Sequence, residues 1–354
     1  MQNRSMQVLT NIPGLEQAAW PEAQLCFSQA GSDGLSRFIL KCLRSDLVIL
    51  EQDGRRVMVA CLIKLFIPWS RFRIISVDLI LRPPKSFLGS TRNFFKKLLF
   101  RKIHRFILYF KDLRGYERFY GIGPERTTYV PFKVNNWESL QRRHAPLSEG
   151  DYVLCAGRTL RDTTTFVEAM RQAGVPGLLL QQSRELLSEH GTEPWNGELP
   201  DNVRLLIDEG NQSEKLFMEC IAGARIVVIP RFKGDIASTG IGTYLLAMAL
   251  NRCVIISEGP GASDVLTDQA VIVPAEDPLA LSKQIDSLWQ DATRRAALIA
   301  RGREYANDVA GEKRLSRDIL RASLRSLGNV DLGNPDQTKA KLMSTTPLRS
   351  NSQR

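Results

Sequence analysis

The sequence predicts an α/β protein made of two doubly wound domains. Its 354 residues are twice the roughly 150 residues of a usual domain, so two domains are the expected number. Short apolar runs alternate with helix-length segments along most of the chain, a pattern typical of βαβ units on parallel sheets. Hydrophobic residues make up 43 % of the chain and charged residues 24 %, so enough apolar side chains exist for two cores.

The first domain is predicted to span residues 1–148. Runs of strand and helix length alternate here in the order MQVLTNI, AQLCFSQ, GLSRFILKCL, DLVILEQ, VMVACLIKLFI and FRIISVDLIL. Pro83 and Pro84 stop the last run, because proline has no amide hydrogen to donate, and a loop is expected near Asp78 to Lys85. TTYVPF is interpreted as the last strand, and the polar stretch 133–150 as a linker.

The second domain is predicted over residues 149–312, where the alternation is clearer. Its segments are DYVLCAG, TTFVEAMRQAG, GLLLQQ, NVRLLID, SEKLFMECIAGA, RIVVIP, GTYLLAMAL, CVIISE, AVIVPA and PLALSKQIDSLWQD. A long helical segment follows, and residues 313–328 are predicted to form the helix that closes the fold. Residues 329–354 are polar without periodicity, so this tail is expected to be disordered.

Positive charge is concentrated in the first domain. Residues 1–150 hold 24 Lys and Arg against 12 Asp and Glu, and within them residues 82–118 hold 11 basic residues against two acidic ones. This excess indicates an anionic partner, either a lipid surface or a nucleic acid. No signature of a known nucleic-acid-binding module is present, so no nucleic acid partner is expected.

The segment Phe94 to Phe110, FFKKLLFRKIHRFILYF, is predicted to form a basic amphipathic helix. On a helix its Phe, Leu and Ile side chains form one stripe, and the cations lie on the other side. Such a helix can lie in a membrane interface, or it can pack on the core with its cations solvated. The cations predicted to face an anionic membrane or the acceptor are Lys96, Lys97, Arg101, Lys102 and Arg105.

Two strand ends of the second domain are candidate anion sites, because ligands of parallel α/β sheets bind beyond the carboxyl ends of strands. In CAGRTLRDTTT, Gly157, Arg158 and Arg161 precede a helix that should begin near Thr163. Guanidinium groups and free helix amides suit a diphosphate. Alternatively, Arg158 pairs with a local carboxylate such as Asp162.

The second candidate site is the Gly-rich loop and helix from Ser238 to Ile256. After the apolar run RIVVIP, this segment offers small hydroxyl groups, close backbone approach and unpaired amides at a helix start. The residues predicted to bind there are Ser238, Thr239, Gly240, Gly242 and Thr243. Small residues at such a position also serve simple capping and packing.

Taken in order, these elements resemble the C-terminal half of glycosyltransferases with the GT-B fold, family 4 in particular. The matching segments are GRTLRDTTTFVEAM, NVRLLIDE, SEKLFMECIAGARIVVIP, STGIGTYLLAMALNRCVIISEGPGASDVL and AVIVPAEDPLALSKQIDSL, about 160 residues in all. The resemblance implies two Rossmann-like domains that face each other across a cleft. It also implies that Gly157, Arg158 and Arg161 grip a donor diphosphate and that Asp208 lies at the strand end that contacts the base.

The N-terminal half is less similar to that family. ISVDLILRPP and YERFYGIGPERTTYVPF look like its acceptor-side strand end and its exit from the first domain. Asp78 falls where acceptor-side or catalytic groups are found, and it could equally cap a helix or turn. Asp78 and Arg158 are the predicted catalytic residues.

The donor loop departs from the family pattern. Two glutamates usually lie there eight positions apart, one on the donor sugar and one on the ribose, and here those positions hold Ser238 and Leu246. Leu246 removes a charged acceptor, a loss of ~1.5 to 3 kcal/mol. The resemblance therefore leaves two interpretations open: an active enzyme, or a catalytically degenerate nucleotide-sugar-binding subunit of a glycan-assembly complex.

Several other functions are disfavoured. None of the three His residues lies beside a Ser or Cys in a nucleophile setting, which argues against a hydrolase triad. No G-x-G-x-x-G follows the first strand of either half, which argues against a dinucleotide-dependent oxidoreductase. The sequence contains no Asp-x-Asp or His cluster, so no metal and no cofactor are expected. The six scattered cysteines are predicted to be buried and reduced.

The expected location is the cytoplasm, with a possible peripheral position on the inner face of the cell membrane. No stretch approaches the ~18 uncharged apolar residues of a spanning helix, and the first residues lack the apolar core of a secretory signal. The resemblance implies transfer of a sugar, with retained anomeric configuration and without a metal, from a nucleoside-diphosphate sugar to a glycan or lipid-linked acceptor. Synthesis of a cell-surface polysaccharide is the expected setting.

Overall fold

The computed structural model contains two six-stranded parallel sheets, each covered by helices on both faces. It describes residues 5–19, 24–31, 34–84, 87–142, 150–157, 159–189, 192–209, 213–234 and 236–328. The α/β class and the two-sheet arrangement predicted from the sequence are confirmed.

The N-terminal sheet has the strand order β2-β1-β3-β4-β5-β6, and every pairing in it is parallel. Its strands are β1 (Met6–Thr10), β2 (Leu25–Gln29), β3 (Leu47–Glu51), β4 (Arg73–Val77), β5 (Arg105–Leu108) and β6 (Thr127–Tyr129). The helices of this half are α1 (Leu35–Arg44), α2 (Gly54–Phe66), α3 (Phe87–Phe100) and α4 (Arg114–Tyr120), with a 3₁₀ turn at Leu15–Ala18. Helix α5 (Trp137–Gln141) lies between the two halves along the chain.

The C-terminal sheet has the order β12-β11-β10-β7-β8-β9, again with parallel pairings only. Its strands are β7 (Tyr152–Ala156), β8 (Gly177–Gln182), β9 (Val203–Asp208), β10 (Ala224–Ile229), β11 (Cys253–Ser257) and β12 (Val271–Val273). The helices are α6 (Thr163–Ala173), α7 (Arg184–Glu189), α8 (Ser213–Gly223), α9 (Ile241–Ala249), α10 (Pro278–Gln290), α11 (Ala292–Val309) and α12 (Glu312–Ser326).

Continuous apolar runs form the central strands because both faces of each sheet are buried. In β3, Leu47 and Ile49 pack into one core while Val48 and Leu50 pack into the core on the opposite face. In β10, Val227 and Ile229 face one core and Ile226 and Val228 face another. This alternation follows from the two-residue period of a strand. It explains why the central strands read as unbroken apolar runs.

The helix predicted from Phe94 to Phe110 is confirmed as far as Phe100 and is wrong beyond it. Helix α3 ends at Phe100, and Arg105–Leu108 forms β5 inside the sheet. After α3, the N–H groups of Lys102 and Ile103 donate to the carbonyl oxygens of Leu99 and Phe100 and form a last turn. The next N–H, of His104, donates to Ile74 O of β4. Aromatic and β-branched residues follow and fill a pleated, buried surface, which outweighs the helical spacing.

Arg105 is therefore removed from the predicted row of helix cations. It begins β5, and its Nη1 donates to the carbonyl groups of Glu125 and Thr127. The other four predicted cations are exposed, Lys96 and Lys97 on α3 and Arg101 and Lys102 in the turn after it.

The domain boundary predicted near residue 148 and the predicted tail 329–354 lie outside the described residues. The predicted linker 133–150 contains α5. Among the described residues, no helix is both long enough and apolar enough to span a membrane. All six cysteines are free, and five of them are buried as predicted, whereas Cys26 on β2 is exposed and the prediction of burial is wrong there.

The chain crosses between the two halves at two adjacent places. The Val134 N–H, after β6, donates to Ala310 O, between α11 and α12, at 2.8 Å. Helix α12 then returns to the N-terminal half, where it packs against the 3₁₀ turn Leu15–Ala18 and against β5. The last described helix of the chain thus helps to cover the first sheet.

Two further contacts join the halves close to the strand ends. Ile236, from the loop that follows β10, is 6 % exposed and lies in a core of the N-terminal half, against Gly115 of α4. The Asp264 carboxylate accepts the N–H groups of Lys111 and Asp112 at 2.5 and 2.7 Å. These contacts bring the carboxyl ends of the two sheets face to face.

Candidate nucleotide-sugar site

Arg161 forms the floor of the candidate site, and only 3 % of its surface is exposed. Its Nε donates to Ala156 O at the end of β7, its Nη1 to Thr159 O, and its Nη2 to Thr243 Oγ1 of α9 at 3.3 Å. One guanidinium therefore joins the β7–α6 loop to the start of α9. The two sequence segments that were predicted separately as anion sites meet at this side chain.

Two glycines are required where the chain passes Arg161. Gly157 has a φ of +133°, and a Cβ added there would lie 2.5 Å from the guanidinium of Arg161. Gly240 has a φ of +87°, and a Cβ there would lie 2.6 Å from Ile229 and 3.4 Å from Arg161 Nη2. Residues with a side chain rarely adopt such φ values, so both positions need glycine for conformation and for space.

Gly240 is also the N-cap of α9, and no side chain caps this helix end. The first amides of a helix have no intrahelical acceptor, so an anion is a suitable partner for them. Thr243, in the first turn, is buried and accepts its hydrogen bond from Arg161. A buried cation and a glycine-capped helix start thus lie side by side.

A cavity of about 350 Å³ opens in front of this pair, between the two halves of the molecule. Its wall is formed by Gln52, Asn135, Gly157, Thr159, Arg161, Phe217, Gly240, Gly242 and Thr243. Five of the predicted donor-binding residues therefore line one cavity: Gly157, Arg161, Gly240, Gly242 and Thr243. Arg158, predicted for both binding and catalysis, lies outside the described residues.

The remaining predicted donor residues do not line this cavity. Ser238 is half-buried in the loop before α9. Thr239 is 3 % exposed, and its hydroxyl has no hydrogen-bond partner within the described ranges. Asp208 ends β9 opposite Gln182 of β8 and is 9 % exposed. These three residues are near the site in the sequence or the sheet, but their contact with a ligand stays a prediction.

Leu246 packs into the hydrophobic core instead of facing the cavity. It is 4 % exposed and shares its cluster with Val227 and Ile229 of β10. The leucine is thus explained by packing of α9 on the sheet, and this position supplies no acceptor for a ribose hydroxyl.

Asp162 has a structural role at the start of α6. Its Oδ1 accepts the Thr165 N–H at 3.0 Å, and its Oδ2 accepts the Thr165 hydroxyl. An N-cap aspartate of this kind satisfies an amide that the helix leaves unpaired. The alternative in which Asp162 pairs with Arg158 is not tested, since Arg158 is outside the described part of the chain.

A second buried arginine, Arg231, was not identified from the sequence. It is 1 % exposed, and its two Nη atoms donate to Pro260 O and Ala237 O. It thereby fixes the loop that leads from β10 into α9. An arginine directly after the apolar run RIVVIP was the signal in the sequence.

The facing edge of the N-terminal sheet carries a cluster of carboxylates and amides. Asp78 follows β4, is 7 % exposed, and accepts a hydrogen bond from Gln52 Nε2 at 2.7 Å. Burial raises the pKa of Asp78 to about 7, the bond from Gln52 lowers it, and the charge of Glu51 raises it. Glu51 in turn accepts the hydroxyl of Tyr109, the residue that follows β5.

The sequence indicated Asp78 but not the residues around it. Glu51 and Gln52 follow the apolar strand DLVIL in the same way as Asp78 follows IISV. Because the carboxyl ends of neighbouring parallel strands meet at one edge, this register was the available signal. Asn135, after the last strand of this half, also reaches the cavity.

Comparison with solved structures identifies the architecture. A glycosyltransferase from Rickettsia africae ESF-5 is 10 % identical, with 93 % of this chain and all of that one covered at a TM-score of 0.61. Anabaena Alr3699/HepE in complex with UDP is 11 % identical, with 97 % of this chain and all of that one covered at a TM-score of 0.60. Sucrose-phosphate synthase from Thermosynechococcus elongatus is 14 % identical, with 97 % of this chain and all of that one covered at a TM-score of 0.56.

The chain has the GT-B fold. Identities this low establish the fold alone. HepE has also been solved in complex with UDP-glucose. No protein-family model and no curated protein matches the sequence.

Proposed function

We propose that the protein is a glycosyltransferase that binds a nucleoside-diphosphate sugar in the cavity between its two halves. The observation that carries this proposal is the meeting of buried Arg161 with the glycine-capped start of α9 at the cavity wall. A positive charge, free amides and closely approaching backbone are the groups that recognise a diphosphate. The GT-B fold supports the same assignment, because solved proteins of this shape include complexes with UDP and UDP-glucose.

The chemistry proposed for this site is electrostatic. Cleavage of the bond between sugar and phosphate leaves negative charge on the diphosphate, and Arg161 and the amides of α9 stabilise that charge. Arg158 is the proposed catalytic residue for the leaving group, and Asp78 is proposed to serve the reaction from the acceptor side. The resemblance to family 4 supports retention of configuration and a reaction without a metal.

The proposed acceptor is a glycan or lipid-linked glycan precursor, in the synthesis of a cell-surface polysaccharide. An anionic membrane surface is the proposed docking partner of the N-terminal half. Large apolar side chains are exposed at and just after the end of α2 and on α3, two helices that contact each other: Phe66 at 74 %, Trp69 at 78 %, Phe94 at 67 % and Phe95 at 60 %. Between residues 54 and 111, 14 Lys and Arg accompany a single acid, the buried Asp78.

Aromatic side chains among cations fit the interface of an anionic bilayer. In a flotation assay with vesicles that contain phosphatidylglycerol, the protein should float, and replacement of both Phe94 and Phe95 by serine should remove most of the binding. Leu279→Ser, on α10 and also exposed, is the control that should float like the wild type. Equal binding to neutral phosphatidylcholine vesicles, or no loss in the Phe94/Phe95 variant, contradicts the proposal.

The donor site is tested with a thermal-shift screen against UDP-, GDP- and dTDP-sugars. Gly242 faces the cavity, and a Cβ there would meet its neighbours at 3.4 Å or more, so a small side chain fits. Gly242→Asp places a negative charge beside the proposed diphosphate and should abolish the ligand-dependent shift. Gly242→Ala is the matched control and should retain most of it. A wild type that no nucleotide sugar stabilises contradicts the assignment.

Turnover distinguishes an active enzyme from a degenerate binding subunit. Leu246 leaves the ribose without the usual acidic acceptor, so binding and transfer must be measured separately. Release of the nucleotide from the stabilising donor, with water or a glycan as acceptor, is the readout. Donor binding without any release supports the degenerate subunit.

A further inference from the structure

Gln52 is the residue of the N-terminal half whose side chain both lines the cavity and is held by a buried carboxylate. It follows β3, and its Nε2 donates to Asp78 Oδ2 at 2.7 Å. The opposite wall of the cavity is the segment Gly240 to Thr243 at the start of α9. Gln52 therefore faces the proposed diphosphate position from the other half of the molecule.

The backbone around Gln52 is strained and firmly held. Gln52 has a φ of +50° and Asp78 a φ of +46°, both in the left-handed region. The Gln52 N–H donates to Val77 O at 3.0 Å, and the Asp78 N–H donates to Ile107 O at 2.8 Å. Non-glycine residues persist in this region only where the surrounding structure enforces it, and they concentrate at functional sites.

The residue before Gln52 is fixed from the neighbouring strand. Asn11, which follows β1, donates from Nδ2 to Glu51 O at 2.9 Å and accepts the Glu51 N–H on Oδ1 at 2.8 Å. The Glu51 carboxylate is bound by the Tyr109 hydroxyl. Consecutive strand ends thus cooperate to place one amide group at the cavity.

While Asp78 is ionised, the chemistry of the pair fixes which end of the Gln52 amide a ligand meets. An ionised carboxylate only accepts hydrogen bonds, so the Gln52 NH₂ group must face Asp78. The carbonyl oxygen, Oε1, is then the end of the amide that remains for a ligand. That oxygen is an acceptor that suits a hydroxyl group.

We propose that Gln52 Oε1 accepts a hydrogen bond from a hydroxyl of the sugar carried by the nucleotide donor, and that Asp78 is the positioning residue that orients the amide. The inference rests on the proposed function. The transferred sugar is attached to the diphosphate, so in a cavity of this size it lies between the start of α9 and Gln52. Gln52 would thereby discriminate between donors that differ at one hydroxyl.

Protonation of Asp78 should weaken this contact. The charged or titratable groups near Asp78 are Glu51 on β3 and Tyr109 after β5, and Lys133 acts on the same Glu51. Burial raises the pKa of Asp78 to about 7, so the carboxylate becomes protonated just below neutral pH. A protonated acid can donate to Oε1 as well as accept from Nε2, and the amide then loses its single orientation.

The test compares each nucleoside diphosphate with its own sugar conjugate: UDP with UDP-glucose, GDP with GDP-mannose, and dTDP with dTDP-glucose. The affinity of the pair that stabilises the wild type is measured by titration calorimetry. Gln52→Ala should weaken the sugar nucleotide about tenfold and leave the nucleoside diphosphate within about twofold, as expected for one lost hydrogen bond. Gln141→Ala, on α5 and exposed, is the control for a glutamine replaced elsewhere.

The role of Asp78 is read from the pH dependence of the same difference. In the wild type, the gain in affinity due to the sugar should fall as the pH is lowered from 8 to 6. Asp78→Asn should make that gain small and independent of pH. In the Gln52→Ala background, the same substitution should leave the gain in affinity due to the sugar unchanged.

Failure of this inference is distinguishable from failure of the proposed function. If Gln52→Ala weakens the binding of UDP and of UDP-glucose equally, or weakens neither, the proposed contact with the sugar is overturned while the donor site stands. If a pH-dependent sugar gain persists in Asp78→Asn, the positioning role is overturned. If no pair stabilises the wild type, the donor site and the inference fall together.

Discussion

The two strand-end edges that face the cavity solve the same geometric problem with different residues. On the C-terminal side Gly157 and Gly240 have positive φ values and lie against one buried arginine, while Leu160, directly before that arginine, is left-handed too at a φ of +50°. On the N-terminal side the left-handed positions are Gln52 and Asp78, whose side chains bond to each other. At Gly157 and Gly240 the absence of a side chain lets a ligand approach the backbone, whereas at Gln52 and Asp78 a left-handed backbone orients two polar side chains.

This difference predicts opposite responses to substitution. Side-chain atoms added at Gly157 or Gly240 should destabilise the fold, because neighbouring atoms already fill the space and the φ values there disfavour a side chain. Removal of the Asp78 charge on the N-terminal edge should increase stability, because burial deprives the ionised carboxylate of its hydration. Substitutions at the two edges test that contrast.

Gly157→Ala should destabilise the protein by about 3 kcal/mol, since the new Cβ meets the Arg161 guanidinium at a φ that side chains rarely adopt. The free energy of unfolding from urea titration is the measurement. Gly174→Ala is the matched control: its φ is +67° but a Cβ there would have no neighbour within 4 Å, so its cost should be about 1 kcal/mol. Equal losses at both positions would show that crowding at Arg161 is unimportant.

Asp78→Asn should stabilise the folded state at pH 8 by about 2 kcal/mol. The folded-state pKa, about 7, is above that of an unfolded aspartate, so the folded protein binds the extra proton between roughly pH 4 and 7. Stability due to this group is therefore present at low pH and is lost as the pH rises through 7. Unfolding titrations at pH 4.5 and 8 check the sign: the gain in the variant should almost vanish at the lower pH.

Thr243→Val and Thr239→Val should differ by about 1 kcal/mol, the smallest effect of the three. Thr243 accepts a hydrogen bond from Arg161, so its loss leaves a buried donor without that partner. The Thr239 hydroxyl is buried without a partner within the described ranges, so valine should be neutral or stabilising there. Thermal unfolding of both variants is sufficient, and a larger loss at Thr239 would indicate an interaction that the structure does not display.

The sequence was most informative where one physical effect determined the structure. Central strands such as β3 and β10 are apolar on both faces, so their length and position could be read directly. Gly157 was identified because it ends an apolar strand and matches the Gly-Arg pair of the family, and Gly240 and Gly242 because small residues at a helix start permit a close approach to the backbone. The meeting of Arg161 with Thr243, by contrast, depends on the packing of distant segments, and no local pattern encodes it.

The errors occurred where two effects competed. Phe94 to Phe110 has helical spacing throughout, but Arg105–Leu108 gains more by pairing with β4 than by extending α3. Gln52 was missed because a glutamine after a strand carries no chemical signal until its neighbours, Asp78 and Asn11, are known. Leu246 reads as a lost ligand in the sequence and as a core residue in the structure.

The two adjacent crossings of the chain, at Val134 and at Ala310, have a mechanical consequence. Because Val134 and Ala310 are hydrogen-bonded to each other, the two chain connections between the halves lie side by side. Such a connection permits rotation and resists sliding. The expected opening movement is therefore a rotation about these two connections, in which α12 moves with the N-terminal half. During this rotation Ile236 must leave its contact with α4, and the Asp264 carboxylate must release the N–H groups of Lys111 and Asp112.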